Sequence, residues 1–154
     1  MTLTRSILVI TGAVTLSLAG WAYAGNAPAA RPIVLQATAV VDSATNVDNP
    51  PAGDSQGDII AFTQKLYATA ARKTAIGHDE VYCVRTIAGK SRVCTGIFYL
   101  EHGQITTTGP ESVKPHALAI TGGSGKWQGA SGEVDLRPQG EIVDHMTFHI
   151  TRPN

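Results

Sequence analysis

The chain has no surplus of charge: 12 basic residues balance 12 acidic ones over 154 positions. A protein that grips nucleic acid or an anionic membrane presents a basic patch, and charges of both signs scattered along a near-neutral chain provide none. Helical patterns are lacking too; Ala68 to Arg72 is the only stretch with helical character, and it is too short to matter. There is no HExxH, no dinucleotide glycine fingerprint and no Ser-His-Asp ordering cue. Nothing repeats internally and no segment is of low complexity. Cysteine is scarce, with Cys83 and Cys94 alone, and two cysteines without matched histidine spacing make a weak zinc signal. The expectation is a soluble domain without metal or cofactor, and with neither nucleic acid nor membrane as its partner once mature.

Charge is rarest at the start, where Arg5 and Arg31 are the only charged residues among the first 41. Arg5 precedes an apolar run, Ile7 to Ala19, and the stretch closes with Ala22-Tyr23-Ala24. A basic start, a short apolar run and an A-x-A site describe a secretory signal peptide. A membrane anchor is the rival reading, but a spanning helix needs about 20 apolar residues, and the small-residue site falls where that length would still be required. No cysteine stands near the cleavage point, which argues against a lipid anchor. The expected organisation is a signal peptide at 1–24, a Pro-rich flexible leader at 25–32 and one domain at 33–152, secreted or periplasmic.

What the domain does have is β structure. Short runs rich in Val, Ile, Thr and aromatic residues recur at Ile33–Asp42, Asp58–Leu66, Val81–Ile87, Val93–Glu101, Gln104–Thr108, Ala117–Thr121, Gly132–Leu136 and Ile142–Thr151. Gly, Pro, Asp or Ser bound them, as they bound strands. A polar loop is expected from Ser43 to Gln56, and tight hairpins at Ala88-Gly89-Lys90 and His102-Gly103. About eight strands at hairpin spacing predict an all-β sandwich or barrel.

With Ala88-Gly89 at the centre of a two-residue turn, residues whose numbers sum to 177 face each other, and Cys83 and Cys94 do. Directly opposed residues stand about 4.5–5.5 Å apart at Cα, within disulfide range. An exported domain with an even cysteine count is expected to form that bond. The alternative is a pair of free thiols.

Several segments together resemble the allene oxide cyclase family and its dirigent-like superfamily: GDIIAFTQKLY (Gly57–Tyr67), the Gly77 to Cys83 spacing, the run from Gly103 to Gly109-Pro110, and ALAITGGSGKWQGASGEV (Ala117–Val134). Read physically, Gly122, Gly123 and Gly125 suit a sharp reversal and Gly129 and Gly132 further bends. GGSGK is not a phosphate loop, because Trp127 follows Lys126 where a Ser or Thr is required. The resemblance implies a single eight-stranded antiparallel barrel whose apolar cavity holds a small, reactive, lipid-like molecule. A barrel of that size can enclose one small ligand. Holding such a molecule near its reactive shape lowers a barrier without any covalent step. The function implied is a cofactor-free cyclase or isomerase of an apolar, oxylipin- or polyketide-like molecule, including pericyclase chemistry. The alternative is a non-catalytic dirigent-like guide or carrier. The resembling proteins often form trimers or dimers, so a homo-oligomer is also in view.

Strand alternation puts Ile60, Phe62, Gln64 and Leu66 on one face, and Cys94, Phe98 and Leu100 on one face of the following hairpin. By resemblance these faces point inward, and Ile60, Phe62, Leu66, Phe98 and Leu100 are the expected ligand-lining residues. Gln64 matches an Asn that helps bind a water at the substrate epoxide, Cys83 a cavity cysteine, and Glu111 a cavity tyrosine. The plant cyclases carry a catalytic Glu on their first strand, and Ile33 to Asp42 has none. Gln64, Arg85 and Glu111 are the expected catalytic groups: Arg85 to hold a carboxylate or oxyanion, Glu111 as acid or base. The blander readings are that Arg85 and Glu111 pair with each other at a rim or sit in solvent, and that Gln64 is a satisfied core amide. His78-Asp79-Glu80 reads as a solvated loop ahead of a strand. His145 and His149 lie about 13 Å apart on one strand face, too far to share an ion, and alternate with Met146, Phe148 and Ile150 on the core face.

Overall fold

The computed structural model describes residues 32–152. The expected signal peptide and all but the last residue of the expected leader lie outside the described residues. Eight strands follow one another: β1 Ile33–Val47, β2 Ile59–Tyr67, β3 Ala75–Ile87, β4 Ser91–Leu100, β5 Gly103–Glu111, β6 His116–Gly125, β7 Ser131–Pro138 and β8 Val143–Thr151. Each is antiparallel to the next, and β8 returns to β1 in register from Ile33 opposite Ile150 to Val40 opposite Val143. The sheet therefore closes into a barrel with no free edge, which satisfies every strand's ladder and removes the edges that invite aggregation. No helix occurs among the described residues.

Three boundaries differ from those expected. β1 runs on to Val47 beyond a bulge between Val41 and Ser43, because Ser43 to Val47 pair with Thr63 to Ile59; the loop expected from Ser43 therefore begins only at 48. β3 starts at Ala75, so His78, Asp79 and Glu80 are strand residues and not a solvated loop. Gly122 and Gly123 continue β6 and make no reversal; the turn begins at Gly125, whose positive φ of 60° suits glycine.

Alternation decides the core. Leu66, Phe98, Ile105, Val134, Phe148 and Ile150 point inward and are buried, while their strand neighbours face out. Phe98 and Phe148 meet edge to face with centroids 5.0 Å apart, the arrangement that ring quadrupoles favour. Trp127, from the turn after β6, joins the same cluster, and Leu35 and Leu100 pack against it. Apolar side chains thus fill the barrel from this end to its waist.

Cys83 and Cys94 are bonded, and their residues are cross-strand partners. The hairpin that aligns them has three loop residues, 88–90, with a register shift between Arg85 and Ile87. The bulge offsets the extra loop residue and leaves the pairing of Cys83 with Cys94 as a two-residue turn would have it.

Candidate functional site

At the opposite end the strands hand over to the loops after β5 and β7, and the packed core gives way to a pocket of about 300 Å³. That is the small end of the usual range for ligand sites. Phe62, Val81, Phe98, Leu118, Leu136 and Met146 form its apolar wall, and Gln64, Arg92, Glu111, His116, Glu141 and Asp144 its polar one. A larger groove, about 420 Å³, runs along the outer wall past Ala61, Thr63, Tyr82 and Thr95, but no buried polar atom without a partner lines it. The pocket at the barrel end is the candidate site.

Five of its polar groups come from five strands, Gln64 from β2, Arg92 from β4, Glu111 from β5, His116 from β6 and Asp144 from β8, and Glu141 comes from the loop after β7. Gln64 follows Leu66 back along β2, and Asp144 precedes Met146, Phe148 and Ile150 on β8. The Gln64 Nε2 donates to Asp144 Oδ2 at 3.1 Å. On the other side of Gln64 lies Asp79, its cross-strand partner on β3, with Phe98 next in register. Asp79 is fully buried; its Oδ1 accepts the Gln64 backbone N–H at 3.0 Å, and its Oδ2 has no partner. Burial disfavours the ionised form, and the nearby Asp144 charge adds to this against the opposing backbone hydrogen bond, so the Asp79 pKa is pushed up to about 8. At neutral pH its carboxyl keeps its proton. Since Oδ1 already accepts, that proton belongs on Oδ2.

Glu111, at the end of β5, pairs with Arg92, its neighbour across the β4–β5 ladder. The Glu111 carboxylate lies within 4.8 Å of the Cys83 and Cys94 sulfurs. Those sulfurs are joined to each other, which leaves no thiolate to bind a metal. His116 sets its Nδ1 2.9 Å from the Lys114 carbonyl, while its Nε2 is buried without a partner.

Of the residues singled out from sequence, the pocket gathers Gln64, Glu111, Phe62 and Phe98. Arg85, expected as a catalytic group, stands apart from this pocket: its Nε pairs with Asp54 Oδ1 at 2.6 Å, under the 48–58 loop, and the alternative of an Arg85–Glu111 pair does not form either. Ile60 lines a separate recess of about 230 Å³ beneath that same loop. Leu66 and Leu100 belong to the packed half of the barrel and do not reach the pocket. Sequence reasoning missed Asp79, Arg92, His116 and Asp144 as site residues. The signal was present in alternation: Asp144 shares the parity of Met146, Arg92 that of Cys94 and Phe98, and His116 that of Leu118 and Ile120. Asp79 was hidden by two polar neighbours, His78 stacked on Tyr99 and Glu80 bonded to the Tyr99 hydroxyl, both on the outer wall.

No family model matches the chain. Among solved structures, it is similar to a pyocyanin demethylase at 21% identity, over 77% of this chain and 100% of that one, with a TM-score of 0.69. A pterocarpan synthase dirigent protein matches at 14% identity over 80% and 87%, TM-score 0.64. An exo-specific intermolecular Diels–Alderase matches at 14% over 78% and 96%, TM-score 0.60. The fold is that of the dirigent and cyclase barrels. At such identities the likeness speaks for the barrel and not for a shared reaction.

Proposed function

We propose that the protein is a cofactor-free cyclase or isomerase that holds one apolar, unsaturated small molecule, oxylipin- or polyketide-like, at the open end of its barrel. The observation that carries this reading is the chain Asp79–Gln64–Asp144, in which an amide and a carboxyl group that line the pocket are backed by a buried carboxyl that keeps its proton. An amide and a carboxyl group facing the guest are groups that acid–base assistance can use. The pocket wall restrains the guest near its reactive shape. Gln64 and Asp144 line the pocket and are joined within reach of a guest, whereas Asp79 sits behind Gln64 and acts as a positioning group through the Gln64 backbone N–H. A guide or carrier needs no such groups, so the polar floor favours chemistry over carriage. Export by the 1–24 segment belongs to the same proposal, supported by the disulfide, a bond that persists in oxidising compartments.

The test is incubation of the purified protein with a panel of conjugated polyenes and allene oxides, following ring closure by chiral chromatography. Acceleration that Gln64→Leu and Asp144→Asn each reduce by roughly tenfold or more supports the proposal, as expected for lost acid–base assistance. Bound guests that emerge unchanged, or with altered stereochemistry at an unaltered rate, would move the protein to the guide or carrier class.

A further inference from the structure

The polar atoms around the pocket share a sign. Arg92 is the one basic side chain with permanent charge in its lining, and Glu111 already neutralises it. Asp144 and Glu141 have no basic partner of their own among the described residues. The Lys114 carbonyl can only accept, so in the neutral imidazole the His116 Nδ1 carries the hydrogen and its buried Nε2 presents a lone pair. Gln64 spends an Nε2 hydrogen on Asp144. Arg85, the cation that would receive an acid group, is occupied by Asp54 beneath another loop. The pocket therefore offers acceptors and uncompensated negative charge, and few free donors.

We infer that the guest is a cation or a hydrogen-bond donor on an apolar, unsaturated frame, such as a protonated or quaternised nitrogen compound, and not a free carboxylic acid. This rests on the reading of the pocket as the binding site and narrows its substrate class. An ammonium or ring N–H entering between Asp144 and His116 completes groups that otherwise lack a counter-charge or a donor. A carboxylate entering there meets like charge, with no free cation to receive it.

Three probes on one naphthalene frame test it: 1-naphthylmethylammonium, 1-naphthalenemethanol and 1-naphthoate, titrated calorimetrically against the purified protein at pH 7. The cation is expected to bind at least about tenfold tighter than the anion, with the alcohol between them. Asp144→Asn should shrink that ratio severalfold, and Glu133→Gln, on the outer wall, should leave the ratio intact. Binding of the anion as tight as the cation, or a preference that Asp144→Asn does not move, overturns the inference and leaves the pocket reading standing. Failure of all three probes to bind overturns both.

Discussion

Gln64 and Asp144, 80 positions apart in the chain, are joined by a 3.1 Å hydrogen bond inside the barrel, passing over β1 to link β2 with β8. The same Gln64 gives its backbone N–H to Asp79, so one residue organises two carboxyls of different character.

The buried Asp79 makes stability depend on pH. Its folded pKa, about 8, lies above the ordinary 3.8, so between those values the folded state holds a proton that the unfolded chain has released. Stability is then fully present below about pH 4, falls as pH rises toward 8, and levels off beyond it. The full span is on the order of 5 kcal/mol. Urea denaturation of Asp79→Asn across this window should show the slope flattened and the variant gaining on the parent at the alkaline end.

Reduction of the Cys83–Cys94 bond should lower stability modestly, because the closed loop is short. Chain-entropy reasoning gives about 2–3 kcal/mol. A Cys83→Ala/Cys94→Ala double variant should match the reduced protein in its denaturation midpoint.

Phe148 is wholly buried and edge-on to Phe98 in the filled half of the barrel. Phe148→Ala should cost roughly 3–5 kcal/mol, the usual penalty for emptying an aromatic site. The same truncation at exposed Tyr82 should cost far less, and thermal denaturation of the two variants makes the comparison.

Asp54 ties the 48–58 loop to the barrel through Arg85 and the Gly89 N–H. Both partners in the ion pair retain solvent contact, so Asp54→Ala should change global stability by about 1 kcal/mol or less. Its effect should be local, seen as faster proteolysis within that loop. Ser55 and Asn49 hold the other side of the loop on Asp58, whose carboxyl the Ser55 N–H keeps below its ordinary range.

The all-β class, the number of strands and the facing of Cys83 and Cys94 were legible in the chain, because period-two alternation and turn residues are local properties. The cysteine pairing was reached through a two-residue turn that does not exist; a bulge after Arg85 restores the register, and no local rule places a bulge there. That Phe62 and Gln64 share a face was likewise read from alternation, and that this face and the face of Phe98 point inward was read from the family resemblance.

Strand register and barrel closure decided the rest. Closure brought β8 beside β1 and so carried Asp144 to Gln64 across 80 positions of sequence. Glu111 meets Arg92 through the β4–β5 register and Arg85 meets Asp54 through the fold of the 48–58 loop, pairings that alternation by itself does not assign. Asp79 shows the same division: its inward parity is written in the chain, but its proton is a consequence of burial, which exists only once the barrel is closed.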